Sequence, residues 1–376
     1  MTRKEMKQLL TTLCGLLISI VVHAGKNKTD IHFPLTPIPA DSIEVQDFFW
    51  YGQLHEAEKA LPGIKARSLP QKLPSPKKTK KLATKWQKKI QNLDIRGFVK
   101  GEKGKDELQS AIDLAEESAT LALSTGDAKY ADVMSRAYYN GICGWQNSSE
   151  EEAQRAAQAI TNLPGYALAT SGEHLYINMY IRSEAKIKND KLDFTLQTTT
   201  STPWYYQTLF QFLFKKKQQH IVFHFRLPEW LKKEGENTLP GYDCKTQQPA
   251  YVIQLNGDRL KPVIENGYLV VDEVLCDTDI MVVQMPTPII RITPKDNPTK
   301  VALQKGPLVY TFLNMPQDME IKGNDAYHSE FDKHRHTNVL SGDYYNKETK
   351  AGRFTAEPYI FNRKNEDNEM WFPFHP

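Results

Sequence analysis

Hydrophobic positions along this chain change period once, and the change divides it. Upstream of residue 163 they recur every three or four residues, as on helices; downstream of 174 they alternate, as on strands. Lys81–Leu93 places Leu82, Trp86, Ile90 and Leu93 on one face, and Lys105–Thr125 carries a stripe of Leu108, Ile112, Ala115, Ala119 and Ala122. Two further helices are predicted over Asp127–Asn140 and Glu150–Asn162. Gly126 caps the helix before it, and Ser148-Ser149 ahead of Glu150-Glu151 offers an N-cap with acid in the first turn.

The seam between the two patterns is LPGYALATSGEHLYINMYIRS (163–183). Pro164-Gly165 breaks the preceding helix and Ser171-Gly172 is a turn signal. Leu175, Ile177, Met179 and Ile181 then share one face of an extended segment, with Tyr176, Asn178 and Tyr180 on the other, which predicts the first strand of a β-sandwich. Short alternating runs follow to the end of the sequence. Asn256-Gly257 and Asn266-Gly267 mark hairpin turns, and Pro286 and Pro288 end the strand DIMVVQM. The fold class expected is multidomain α plus β: helices over 82–172, a sandwich over 173–314 and a C-terminal β segment over 315–376 packed on it. Strands with their own alternation are expected to fold without the helices.

Ahead of the helices the chain reads differently. Residues 1–24 combine Arg3, Lys4 and Lys7, an apolar run from Leu9 to Val22, and the small residue Ala24, the pattern of a secretory signal cleaved near Ala24. The run is too short for a stable membrane span, so a periplasmic or extracellular protein is expected. Residues 25–81 read as an extended arm and linker. Within them Ile43–Trp50 is expected to dock as a strand or arm through Phe48 and Trp50, and Ala60–Lys81 is rich in Pro and Lys.

A net charge of +3 over 376 residues implies no nucleic-acid partner, and the basic clusters at Lys77–Lys89 and Lys215–Lys217 read as solvated surface. Past the signal only Cys143, Cys244 and Cys276 remain, with no close pair.

Several stretches occur together in a revealing order: DSIEVQDFFW (41–50), GDAKYADVMSRAYYNGI (126–142), the seam, FRLPEW (225–230), ENGYLVV (265–271), VALQKGPLVYTF (301–312), AEPYIFNR and MWFPF (356–374). In that order they resemble bacterial β-L-arabinofuranosidases of glycoside hydrolase family 127. The resemblance implies an (α/α)6-barrel followed by β-sandwich domains, acting on arabinofuranosyl residues of plant-type glycans. It also implies a cysteine nucleophile held on zinc with a glutamate and further cysteines, and a separate glutamate as acid/base. The chain departs from that pattern. About 75 residues between Trp50 and Gly126 suffice for three helices at ~1.5 Å per residue, so a remnant of the barrel is expected.

The expected site is altered as well. Counting along the resemblance, the Glu-x-Cys metal motif falls on Glu107-Leu108-Gln109, and the Cys-Cys-Pro stretch falls near Glu150–Gln154. Glu107 is the one family-like metal position, and zinc is expected to be lost. Cys143 reads as a buried structural thiol. Glu107 facing Glu151 or Glu152 is the carboxylate pair to test for catalysis. Trp204, Tyr205 and Tyr206 form the candidate aromatic patch for a glycan. His328, His334 and His336 with Glu330 and Asp332 lack ligand spacing and read as a surface loop. Three functions are therefore carried forward: a catalytically impaired member of that family, a sandwich that binds glycan or a partner without cleaving it, or a non-functional remnant of a deleted gene.

Overall fold

The structure, a computed structural model, describes residues 33–67, 73–145, 149–215, 217–232, 236, 238–245, 251–313, 315–316, 319–323, 326–347, 349–362 and 369–375. The signal sequence expected over 1–24 lies outside the described residues, as does 68–72 of the expected linker.

Among the described residues, five helices of more than one turn lie ahead of residue 163: α1 (Phe48–Ala60), α2 (Pro76–Lys89), α3 (Glu107–Thr125), α4 (Ala128–Arg136) and α5 (Glu150–Asn162). Their ends follow local chemistry. Asp106 caps α3 by accepting from the Gln109 amide at 2.6 Å, and Gly126 ends it in the left-handed region at φ 63°. Ser149 and Glu152 form a reciprocal capping box on α5. α4 runs into a π-helical turn, Ala137–Ile142, where Gly141 lies so near α3 that a Cβ would meet the Ala111 methyl at 2.6 Å. α1 packs on α5, α2 on α3, and α3 on both α4 and the π turn.

Among the described residues the strands form three sheets. The first orders Thr36–Pro37, Leu168–Ser171, His174–Ile177, Gln218–Arg226, Tyr268–Cys276 and Val263–Glu265; the third and fourth run parallel, the rest antiparallel. The second is antiparallel, with Asp193–Ser201 and Tyr205–Phe214 at its centre and Ile43–Val45 at one edge. Phe223 and Phe225 of the first sheet pack on Phe212 and Phe210 of the second, at ring-centroid distances of 5.7 and 5.3 Å, and make the sandwich core. The third sheet is built from Ile289–Pro294, Lys300–Lys305, Leu308–Leu313 and the strands beyond them. Both Asn-Gly dipeptides sit in two-residue hairpin turns with positive φ at both positions, as expected.

Five expectations need correction. Residues 25–81 contain the start of α2, at Pro76, and all of α1, because Asp47 turns the chain by accepting from the Trp50 amide at 2.5 Å. Phe48 then points to solvent at 95% exposure, and Phe49 and Trp50 dock instead. The seam strand stops at Ile177, and a hairpin partner, Leu168–Ser171, precedes it. The sandwich does not extend to 314, since 289–313 belong to the third sheet. Finally, residues 33–376 form one compact unit in which helices and strands share a core, so the β part is not a separate body.

The last correction has a physical cause at the first sheet. Its Leu175, Ile177, Phe223 and Phe225 side faces the second sheet, as the alternation implied. Its other side, with Tyr176, His224, Arg226 and Tyr268, is equally buried, against the helices. Alternation names two faces but does not say that one of them meets water.

Candidate functional site

The positions singled out by the resemblance converge on one end of the helices. α3 and α5 lie together, and Arg155, one turn into α5, reaches across to the first turn of α3. Its Nη2 donates to Asp106 Oδ2 at 2.6 Å and its Nη1 to Gln109 Oε1 at 3.1 Å. The guanidinium holds the Asp106 carboxyl below its usual range. Thus Gln109 accepts a hydrogen bond from a cation.

Neighbouring carboxylates are also engaged. Glu107 is exposed, with Oε1 3.7 Å from Arg96 Nη2, while Arg96 bonds Asp94 through Nε at 2.8 Å. Glu152 Oε2 accepts from the Ser149 amide at 2.9 Å and hydroxyl at 2.8 Å, so it serves the capping box. Glu151 is solvent-exposed in the first turn of α5. Glu102 lies 2.9 Å from Lys105 and 3.4 Å from Lys89, and Lys105 also meets Asp113 at 2.5 Å. A shallow cavity of about 260 Å³ is lined by Arg96, Lys100, Lys105, Asp106 and Glu107.

These residues do not fit zinc. Such a site needs three or four donors from Cys, His or carboxylate, converging at about 2.0–2.3 Å. Here the carboxylates face lysines and arginines, and Gln109 offers only an amide. Among the described residues no three His, Cys, Asp or Glu side chains are placed to hold a metal. Cys143 is buried at the end of the π turn, and burial pushes the Cys244 thiol up to about 12, away from the thiolate that zinc or nucleophilic chemistry requires.

The aromatic patch divides. Tyr206 is buried, edge-on to Trp230 at 4.9 Å. Trp204 is half-buried between Phe49 and Phe331. Only Tyr205, 52% exposed with its ring 5.1 Å from Lys305 Nζ, could meet a sugar from solvent. The histidine group lies on a hairpin: His328–Asp332 is a strand, and Asp332 accepts from the His334 and Arg335 amides at the turn.

Sequence reasoning missed two features. One is a cavity of about 920 Å³ beside α1, lined by Asp41, Tyr51, His55, Arg67 and Thr161 among others. Thr161 is near the C-terminus of α5, so the cavity is remote from the Glu151–Glu152 turn. The other is a buried polar seam between helices and sheets. Asp132 on α4 takes Arg226 Nη1 at 2.7 Å and also Lys232; Arg136 meets Glu229 and, at 2.9 Å, Gln304 Oε1; Asn140 bonds the Pro307 carbonyl at 2.8 Å and the Val309 amide at 2.9 Å. Charges inside otherwise apolar runs, Arg136 in VMSRAYY and Arg226 in FHFRLP, were the available signal.

Comparison with known proteins agrees with this geometry in fold. Residues 174–287 match the GH127 middle domain described as that of β-L-arabinofuranosidase. No curated protein matches. Among solved structures, a GH127 β-arabinofuranosidase is similar at TM-score 0.66 and 20% identity, over 76% of this chain and 54% of that one. A GH127 β-L-arabinofuranosidase from Geobacillus stearothermophilus T6 follows at 0.62 and 19%, over 76% and 55%. A further glycoside hydrolase gives 0.61 and 15%, over 77% and 61%. The chain is GH127-like in its middle domain and its α plus β fold, and it spans little more than half the length of these structures. The motifs that carried the resemblance, SRAYYNGI, FRLPEW and LQKGPLV, are those that build the buried seam.

Proposed function

We propose that this GH127-like chain is an exported protein that has lost zinc-dependent arabinofuranoside hydrolysis. One observation carries the reading: at the α3–α5 end, Arg155 bridges Asp106 and Gln109 where the family pattern calls for a metal and thiols. A guanidinium is permanently cationic. Beside Gln109 it supplies the positive charge that carboxylates there need, and it repels a divalent ion. Gln109 has no thiol with which to act as nucleophile, and removing a nucleophile from a covalent enzyme costs ~10⁴ to 10⁶ in rate even on an intact scaffold. A second reading, glycan binding without cleavage, is favoured by the exposed Tyr205 ring, which offers a stacking face beside Lys305.

The experiment is metal analysis of the purified protein beside turnover of a chromogenic arabinofuranoside, with an active GH127 enzyme for comparison and Cys143→Ala as control. The expected result is no stoichiometric zinc and no turnover above background. One zinc per chain, or hydrolysis abolished by Cys143→Ala, overturns the proposal. Export is tested separately, by N-terminal sequencing of the secreted product, expected to begin at Gly25.

A further inference from the structure

α2 breaks the electrostatic rules of a helix over most of its length, and of its lysines only Lys89 meets acids in the described fold. Its fourteen residues, PKKTKKLATKWQKK, hold seven lysines and no acid. Lys77 and Lys78 stand in the first turn, where the helix dipole already presents positive charge and where acids are favoured. Lys77, Lys81, Lys85 and Lys89 are spaced i, i+4 along one face, and like charges at that spacing destabilise a helix. Only Lys89 is relieved, by Glu102 at 3.4 Å and Glu117 at 2.8 Å. Lys77, Lys78, Lys80, Lys81, Lys85 and Lys88 are exposed and join no ion pair among the described residues.

The helix is nevertheless held firmly. Trp86 is buried on the opposite face, its Nε1 donating to Ser118 Oγ at 2.8 Å and its ring edge-on to Tyr130 at 4.7 Å. Thr79 and Ile90 are buried on the same side. At 100° per residue the six free lysines fall within one half of the helix surface, pointing away from that anchor. The basic face is therefore rigid, continuous and outward, roughly 16 Å from Lys77 to Lys88 at 1.5 Å per residue. A chain with a net charge of only +3 concentrates far more than that on one helix.

We infer that this face of α2 binds an acidic polysaccharide, a chain of sugars carrying one carboxylate on most residues. The six lysines, spread over ~16 Å, form a dense row of fixed cations that charge complementarity matches to a flexible chain bearing carboxylates on successive sugars. A nucleic-acid duplex is the poorer fit because the chain as a whole carries a net charge of only +3, without the strongly basic character of a duplex-binding domain. The arrangement lacks the wedge of exposed large apolar residues that a membrane-surface helix carries, since its one aromatic is buried in the core. The inference is independent of the state of the α3–α5 end.

The test uses the full mature chain and four immobilised or titrated probes at matched salt: polygalacturonate, a neutral arabinan, duplex DNA and phosphatidylglycerol vesicles. The expected result is polygalacturonate binding that weakens steeply with salt, and at least about tenfold weaker binding by a Lys77→Gln/Lys81→Gln/Lys85→Gln/Lys88→Gln variant. A control with the same charge change elsewhere, Lys186→Gln/Lys188→Gln/Lys261→Gln/Lys300→Gln, should keep the affinity within about twofold. The α2 variant should also melt no lower than the parent, because like-charge contacts are removed. Equal losses in both quadruple variants, tighter binding to DNA or vesicles, or no polygalacturonate binding at low salt each overturn the inference.

Discussion

Two charged clusters sit in this molecule, built from the same residue types and differing chiefly in burial. At the α3–α5 end, Arg155 is 26% and Asp106 47% exposed; at the helix–sheet seam, Arg226 and Asp132 are 1% and 0% exposed. Water screens the first cluster and lets each side chain find another partner. The second has given up its hydration, so every charge depends on the others remaining in place. Ion pairs that look alike in a contact map therefore do different work: one set tunes a surface, the other decides whether the helices and sheets stay together.

The largest expected effect tests that contrast directly. Asp132→Asn leaves Arg226 and Lys232 facing one another without their shared anion, and unfolding by urea should show a loss of about 3–5 kcal/mol. Arg226→Met should cost less, because Asp132 keeps Lys232. Equal losses, or losses below about 1 kcal/mol, would place the seam in the same class as a surface pair.

Next comes acid sensitivity on the same buried side of the first sheet. His174 Nδ1 lies 2.9 Å from His224 Nε2, and Tyr176 stacks on the His224 ring at 4.0 Å. Burial, and then the neighbouring His174, push His224 down to about 3 from 6.5. The unfolded chain thus binds the proton that the folded chain refuses, so this stability is complete above pH 6.5 and is lost as pH falls toward 3. From pH 7.5 to 5 the loss from this group should be roughly 2 kcal/mol. Asp47 works the other way: burial raises it to about 6, so the fold gains as that carboxyl protonates. The readout is therefore the difference between parent and His224→Phe, whose acid slope should be shallower.

Arg155→Gln is the exposed counterpart. It should change stability by about 0.2–1 kcal/mol, and salt should erase the difference. A loss near that of Asp132→Asn would collapse the contrast between the clusters. The smallest effect separates two sequence neighbours. Phe48→Ser should be within about 0.5 kcal/mol of the parent, because the ring is in water, whereas Trp50→Ala should cost about 3–5 kcal/mol. Thermal melts of the two variants show which aromatic docks the N-terminal segment.

Much of this was legible in the sequence, and for local reasons. The span of α5, an N-cap at Ser148-Ser149, the Gly126 cap and the two Asn-Gly hairpins depend on residues within a few positions of one another, and each agrees with the structure, which adds the reciprocal box of Ser149 with Glu152. The stripe of α3 and the alternation of Leu175 with Ile177 also survived, since periodicity is a property of the chain itself. The kinship with GH127 rested on ordered motifs, which a linear reading can see. α1 was missed because its start depends on one side chain, Asp47, turning an apparently extended run into a helix.

What only the tertiary structure decided is where these faces meet. Sequence placed Tyr176 opposite Leu175 but could not reveal that helices cover that second face. Arg136, Arg226 and Glu229 stand within largely apolar runs, and only the fold brings Arg136 against Glu229, 93 positions away. Sequence aligned Glu107 with a metal position, yet the decisive neighbour, Arg155, enters from another helix. Burial, and the pairing of charges that burial demands, are properties of surfaces brought together by folding; a one-dimensional pattern specifies each surface and leaves its contact undetermined.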